Sequence, residues 1–174
     1  MSFPWSELPH DDPAWYKSGA LYVPSGEGPT VWAANDIYTI KARASQTNGG
    51  FGLIEGTVPA GGGPGPHAHP HEEETFYMLS GELEFLDGEE TFIAKAGDLV
   101  HIPRGVRHRF TNVGNHAAKM LFFFTPGGVE SVIADGAQPV VPRENPPSSM
   151  TDEQLERFVE MNEAARVIAL PDRT

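Results

Sequence analysis

The stretch PGPHAHPHEEETFYMLSG, from Pro64 to Gly81, gathers imidazole and negative charge and then turns abruptly apolar. His67, His69 and His71 fall with Glu72, Glu73 and Glu74 inside eight residues, in a chain that has seven histidines in all. The preceding run Gly61–Pro66, GGGPGP, reads as a loop, because proline cannot donate to a central β-ladder and glycine weakens one. Pro70 breaks the run again. From Glu74 onward the pattern is a strand: Glu74, Phe76, Met78 and Ser80 share one face, and Thr75, Tyr77 and Leu79 take the other. On extended backbone His67 and His69 point to the same side, about 6–7 Å apart along the chain, so that both imidazoles can converge on one metal ion.

A second histidine sits in a comparable setting. GDLVHIPRGVRHRFTN, Gly97 to Asn112, places His108 on a strand face with Phe110 and Asn112. Other metal motifs fail on spacing. HPHEE is not the H-E-x-x-H of metalloproteases, because position 75 is Thr. His71-x-Glu73 mimics a zinc deaminase, but that site needs cysteines and the chain has none. His71 reads as a loop residue, His101 as a core residue or a support to a ligand, and His10 and His116 as surface residues. Arg104, Arg107 and Arg109 are expected to pair with carboxylates.

Composition bounds the rest. The chain has 174 residues, enough for one domain with a buried core. Gly 19 and Pro 16 make up about a fifth of it, which fits many short strands joined by turns. Twelve basic against 24 acidic side chains leave a net charge of -12, which argues against nucleic acid as a partner. The absence of cysteine removes disulfides, thiolate ligands and thiol nucleophiles. The N-terminus lacks a signal-peptide pattern, and no apolar run approaches the ~18 residues of a membrane span. The expectation is a soluble, cytoplasmic protein without a membrane partner.

Ten short apolar or alternating runs lie between Ala20 and Pro126: Ala20–Val23, Val31–Ala34, Ile37–Ala42, Gly52–Val58, Thr75–Leu79, Glu82–Leu86, Glu90–Ala94, Leu99–Ile102, His108–Asn112 and Lys119–Thr125. Asp87-Gly88 marks a hairpin turn. Such spacing predicts an all-β sandwich or barrel. Two helices close the chain. GGVESVIADG forms the first, ended by Gly136. Thr151-Asp-Glu-Gln is a capping box that starts the second, whose apolar stripe is Leu155, Phe158 and Val159 beside Asn162, a face for docking on the barrel or a partner. The predicted organisation is an N-terminal arm over 1–19, a barrel over 20–126 and a helical extension over 127–174. Trp5, Trp15, Tyr16, Tyr22 and Trp32 load residues 1–40 with aromatic surface, and with exposed β-edges they predict a homodimer.

The two histidine stretches resemble the paired motifs of the cupin superfamily. The first motif, G-x5-H-x-H-x4-E-x6-G, is met by Gly61, His67, His69, Glu74 and Gly81. The second, G-x5-P-x-G-x2-H-x3-N, is met by Gly97, Pro103, Gly105, His108 and Asn112. Fifteen residues separate them. The resemblance implies a double-stranded β-helix, the jelly-roll barrel of cupins, with short C-terminal helices. Carried over position by position, it places metal ligands at His67, His69, Glu74 and His108. Donor chemistry agrees: three neutral imidazoles and one carboxylate suit one divalent ion such as Fe, Mn, Ni, Cu or Zn, and are too nitrogen-rich for Ca or Mg. Phe76, Met78 and Phe110 share faces with these ligands and are the expected pocket lining. Phe122–Phe124 reads as core, with alternate members facing inward.

A cupin fold does not set a reaction. The layout further resembles single-domain quercetin dioxygenase-like cupins, which implies a metal-dependent dioxygenase taking an aromatic or enolic small molecule and O2. Glu74 would then serve as catalytic base as well as ligand, with Glu72 and Glu73 raising its pKa. Two alternatives stand beside it: a Zn-type Lewis-acid cyclase or isomerase on a polyketide-like substrate, and a small-molecule-binding cupin without catalysis.

Overall fold

Strict alternation builds the barrel. Asp36, Tyr38, Ile40 and Ala42 turn inward from one strand, Ile54 and Val58 from the next, and Met120, Phe122 and Phe124 from a third, while the residues between them stay partly exposed. A computed structural model describes residues 11, 13–33, 35–140 and 151–171. Its strands are β1 (Thr30–Ala33), β2 (Asp36–Ala42), β3 (Gly52–Val58), β4 (His67–Ala68), β5 (Glu73–Ser80), β6 (Glu82–Asp87), β7 (Glu90–Lys95), β8 (Leu99–Ile102), β9 (His108–Thr111) and β10 (Ala118–Thr125). Helix α1 (Val129–Gly136), β11 (Gln138–Pro139), α2 (Asp152–Ala164) and β12 (Ile168–Ala169) follow.

All pairings are antiparallel and form two sheets, ordered β11-β1-β2-β3-β10-β5-β8 and β12-β4-β9-β6-β7. This is the expected jelly-roll. Between the sheets Phe76 packs on Phe85 at 5.1 Å and on Phe110 at 5.7 Å between ring centroids, with Phe122 stacked at 6.0 Å. Each such buried ring contributes ~1.5–3 kcal/mol through removal from water.

Nine of the ten expected strands form. Residues 20–23 form none; Leu21 and Tyr22 stand exposed ahead of a turn at Pro24–Glu27. The first ten residues of the expected arm lie outside the described residues. The capping box is present, with Thr151 Oγ1 accepting from Gln154 N and Gln154 Oε1 accepting from Thr151 N. The docking face of α2 is displaced from the expected stripe: Leu155 and Val159 are about half exposed, and Met161 is buried against Gly136 of α1. Helical spacing alone leaves two adjacent faces open, and contact with α1 selects the one through Phe158 and Met161.

Helix α1 is pinned by a side chain that looks like ordinary surface in sequence. Glu130 is fully buried. Its Oε1 accepts from Ala44 N at 2.7 Å and Ser131 Oγ at 2.8 Å, and its Oε2 accepts from Gly128 N at 2.7 Å. Three hydrogen bonds satisfy a carboxylate that burial alone would penalise. The chain beyond α1 also belongs to the barrel, since β11 pairs with β1 and β12 pairs with β4.

The loop before β4 is set by backbone contact. Gly63 has φ +123°, and a Cβ there would lie 2.1 Å from the Phe110 carbonyl oxygen. Only glycine admits both conditions. Buried Asn112 ties the same loop, donating through Nδ2 to the carbonyls of Val58 and His116, while its backbone N–H donates to Gly62 O. Gly63→Ala is therefore expected to cost at least ~2 kcal/mol from strain and clash. Thermal unfolding of the variant against the parent measures it, and an unchanged melting temperature contradicts the role.

Candidate metal centre and its cavity

The register of the two sheets brings four side chains from distant parts of the chain to one point. His67 of β4 lies directly across from His108 of β9. His69 follows in the loop, where its carbonyl accepts from Gly105 N at 2.9 Å. Gly105 has φ +75°, the conformation that turns the chain back toward His69. Glu74 enters from β5 of the other sheet, held between Phe124 of β10 and Ile102 of β8. One donor atom from each of His67, His69, Glu74 and His108 lies within 4.8 Å of all the others. Donors around one ion at ~2.1 Å are at most ~4.2 Å apart, so a contraction of a few tenths of an ångström would complete the shell.

Backbone carbonyls orient two of the rings. His67 Nδ1 bonds Gly65 O at 2.9 Å, and His108 Nδ1 bonds Val106 O at 2.9 Å. Both rings thus carry a proton on Nδ1 and aim Nε2 into the cluster, the usual support of a ligating histidine. His69 and Glu74 are buried, with His69 Nε2 3.4 Å from Glu74 Oε2. His69 Nδ1 is buried without a hydrogen-bond partner. A nitrogen-rich, desolvated and partly unsatisfied set of this kind fits a divalent first-row ion.

Charge is shared unevenly without the ion. Burial pushes Glu74 up, but hydrogen bonds from His108 and His69 outweigh it and hold Glu74 well below the usual carboxylate range. Burial likewise opposes charge on His108, yet the bond to Glu74 at 2.9 Å lifts its pKa above that of a free imidazole. Burial, reinforced by His108, pushes His67 down to about 4. The contact thus favours the carboxylate form of Glu74 and the protonated form of His108, and the neutral form of His67 is favoured beside them. A metal ion at Nε2 of His108 must displace that proton, which couples metal affinity to pH.

The cluster opens into a cavity of about 200 Å³. Phe110, Phe122, Phe124, Val129, Ile133, Phe158 and Met161 give it an apolar wall, and Tyr38 and Asn162 add the neutral polar side chains. Of the three expected lining residues, Phe110 is in the wall. Phe76 and Met78 are not: each is 1 % exposed and lies in the core. They share the face of Glu74, but the cavity occupies one end of the barrel and packed rings fill the rest. Phe122 and Phe124 face inward as expected, but beyond the expected core role they also line the cavity. The wall from Phe158 to Ala169 was illegible in sequence, because α2 and β12 reach it only through tertiary contacts: Leu170 N donates to Pro66 O at 2.9 Å and Arg107 Nη2 to Pro171 O at 2.8 Å.

The remaining candidates stand apart. His101 Nδ1 bonds Thr75 Oγ1 at 2.8 Å on the exposed face, and His71 Nε2 is 3.5 Å from Arg166 Nη1. Arg109 pairs with Glu84 at 3.1 Å and Arg104 with Glu73 at 3.9 Å. Arg107 donates to the Gly88 and Pro171 carbonyls.

Residues 54–124, which contain all four clustered side chains, match the family model described as "Cupin domain". That stretch of the chain is a cupin domain. This cupin is 31% identical over 104 residues to the quercetin 2,3-dioxygenase of Bacillus subtilis, a match covering 59% of this chain and 30% of that protein. It is 48% identical over 61 residues to the polyketide synthase CurC of Streptomyces cyaneus, covering 34% of this chain and 39% of that one. The match therefore spans well under two thirds of either relative. Among solved structures, a predicted oxalate decarboxylase from Thermotoga maritima superposes with a TM-score of 0.57 at 25% identity, covering 60% of this chain and 98% of that one.

Two outcomes follow. His67→Ala combined with His108→Ala should leave metal content well below one ion per chain by elemental analysis, while His71→Ala should leave it unchanged; full occupancy of the double variant refutes the site. The second concerns Asp36, fully buried in β2, whose carboxyl burial pushes up to about 7 against the pull of the Tyr38 hydroxyl and the Gly63 N–H. The native state then holds its proton more tightly than the unfolded chain, so stability contributed by Asp36 falls as pH rises from about 4 to about 7, by up to ~4 kcal/mol. The melting temperature of Asp36→Asn relative to the parent should rise across that window, and a constant difference contradicts the shift.

Proposed function

We propose that this cupin is a metal-dependent dioxygenase of the quercetinase-like type that acts on an aromatic or enolic small molecule. The observation that carries the reading is the joining of a three-histidine, one-glutamate cluster to a cavity walled by phenylalanine. Such a wall favours a flat apolar ligand over a small dianion such as oxalate. The similarity to the Bacillus subtilis quercetin 2,3-dioxygenase supports the same choice.

A redox-active divalent ion, when bound, would supply Lewis acidity toward an enol hydroxyl and electron-transfer chemistry toward O2. The chain's own residues do the rest. Phe110, Phe122 and Phe124 exclude water and hold the ring of the ligand. Glu74 accepts the enol proton. Its anion is strongly favoured, so it is a weak base, and the transfer depends on an acidified enol. Both atoms of O2 enter the products, and no external reductant is consumed.

A second reading is favoured by the similarity to the Streptomyces cyaneus polyketide synthase CurC. In it the ion is zinc, and the site acts as a Lewis acid on a polyketide-like substrate without O2.

Elemental analysis of protein purified without added metal, followed by oxygen uptake with quercetin, tests the proposal. Uptake equimolar with quercetin loss is expected with a redox-active ion. Stoichiometric zinc and no uptake favour the second reading. Turnover of neither kind leaves a binding protein. On the same preparation, Glu74→Gln should retain part of its metal and lose about 10²-fold or more in rate. Metal lost in proportion to rate reduces Glu74 to a ligand, and a near-normal rate removes it from the proton transfer.

A further inference from the structure

One polar pair in the barrel is left unused by the metal centre. Asp36 and Tyr38 lie two residues apart on β2 and turn to the same inner face. Tyr38 Oη donates to Asp36 Oδ2 at 3.0 Å. Tyr38 is in the wall of the cavity that holds His67, His69 and Glu74, and Asp36 is behind it, out of the wall. The second carboxylate oxygen, Oδ1, is buried and makes no hydrogen bond of good geometry, the Gly63 N–H acting on the carboxylate only weakly.

The ring is placed from three sides. It meets Phe122 edge-on, with centroids 5.1 Å apart. Across the ladder its register partner is Gly56, where a Cβ would lie 3.6 Å from Tyr38 Cε1 and 2.8 Å from Phe122 Cε1. Behind it, Gly62 leaves room for the carboxylate, since a Cβ there would lie 2.5 Å from Asp36 Oδ1. Two backbone positions without side chains thus accommodate the pair and its aromatic neighbour.

Packing does not account for this arrangement. A phenylalanine at 38 would fill the same slot. A fully buried carboxylate with one unsatisfied oxygen is costly, and an apolar pair of the same shape would be more stable. The cost is understandable if the hydroxyl is needed where it is. Tyr38 lines the cavity, and with its proton given to Asp36 its Oη keeps lone pairs for a ligand in a wall that is apolar away from the metal cluster and Asn162. An oxygen of that kind accepts from a ligand O–H and repels a carboxylate.

We propose that Tyr38, aimed by Asp36, is a substrate-contacting residue that accepts a hydrogen bond from the hydroxyl of an aromatic or enolic ligand, with Asp36 as its positioning residue. This rests on the cavity being the ligand site of the proposed function, but not on oxygen chemistry. It assigns the ligand a hydroxyl group as well as a flat ring, and makes hydroxyl recognition a property of β2, outside the 54–124 stretch that matches the family.

The test needs no turnover. Full-chain protein with its metal is titrated at pH 8 with 1-naphthol and with naphthalene, which differ by one hydroxyl. At that pH Asp36 is charged, lying above the value of about 7 to which burial lifts it. The titratable groups acting on the pair are Asp36 and Tyr38 themselves and Glu74, and burial with the Asp36 charge keeps Tyr38 protonated. Binding is followed by quenching of protein fluorescence, with melting temperature and metal content recorded for each variant. Tyr38→Phe should weaken 1-naphthol about tenfold and leave naphthalene unchanged. Asp36→Ala should follow it, while Asp36→Asn, which still presents an acceptor to Tyr38, should stay within about threefold of the parent. Equal weakening of both probes, no weakening of either, or no 1-naphthol binding to the parent overturns the proposal. Absence of oxygen uptake with quercetin overturns the dioxygenase reading alone and leaves these titrations interpretable.

Discussion

A contact of 2.9 Å between Glu74 Oε2 and His108 Nε2 joins the two sheets at the point where the site is built. Glu74 belongs to the seven-stranded sheet and His108 to the five-stranded one. Neither could be buried alone without a large desolvation cost, and each is satisfied by the other. The hydrogen bond favours charge on both partners, and a cation held at His108 Nε2 would take the place of the proton there. The same two residues therefore serve the fold in one state and the chemistry in the other. Sheet separation, ring orientation and metal affinity are linked through one contact, and a change that shifts either sheet is felt at the centre.

Much of this was legible beforehand because it is local. The alternation of β3 and β8 marks their ends to the residue, since glycine, proline and aspartate punctuate both sides. The spacing of His67, His69, Glu74 and His108 identifies the cluster, because two short strand segments and two glycine turns leave little freedom between them. Elsewhere the determinants are distant. Strands β11 and β12 are two residues each and exist only through their partners. Leu155 and Val159 look like a docking face, yet α1 meets Met161 instead. Phe76 and Met78 share a face with Glu74, but face alone does not say how far along the barrel the open space extends. Asp36 lies just outside the expected strand Ile37–Ala42, and that it closes on Tyr38 inside the barrel depends on Gly56 and Gly62, which contribute by having no side chain.

The cavity divides its labour between the stretch that matches the family model and the segments that flank it. All four clustered donors lie within 54–124. Tyr38 precedes that stretch, and Ile133, Phe158, Met161, Asn162 and Val167 follow it. Ion chemistry is thus held by the shared barrel, which also supplies Phe110, Phe122 and Phe124 to the wall, while the flanking segments add Tyr38, Asn162 and the rest of the apolar surface. Proteins can keep the first and change the second without disturbing the Glu74–His108 contact. Similarity over the barrel then speaks for the metal centre, and the flanks speak for the substrate. In this chain they present aromatic and aliphatic surface relieved by the Tyr38 hydroxyl and the Asn162 amide. The amide already donates to Phe158 O at 3.0 Å, and in the proposed reading it is the tyrosine hydroxyl that favours a ligand able to donate a proton as well as being flat and largely apolar.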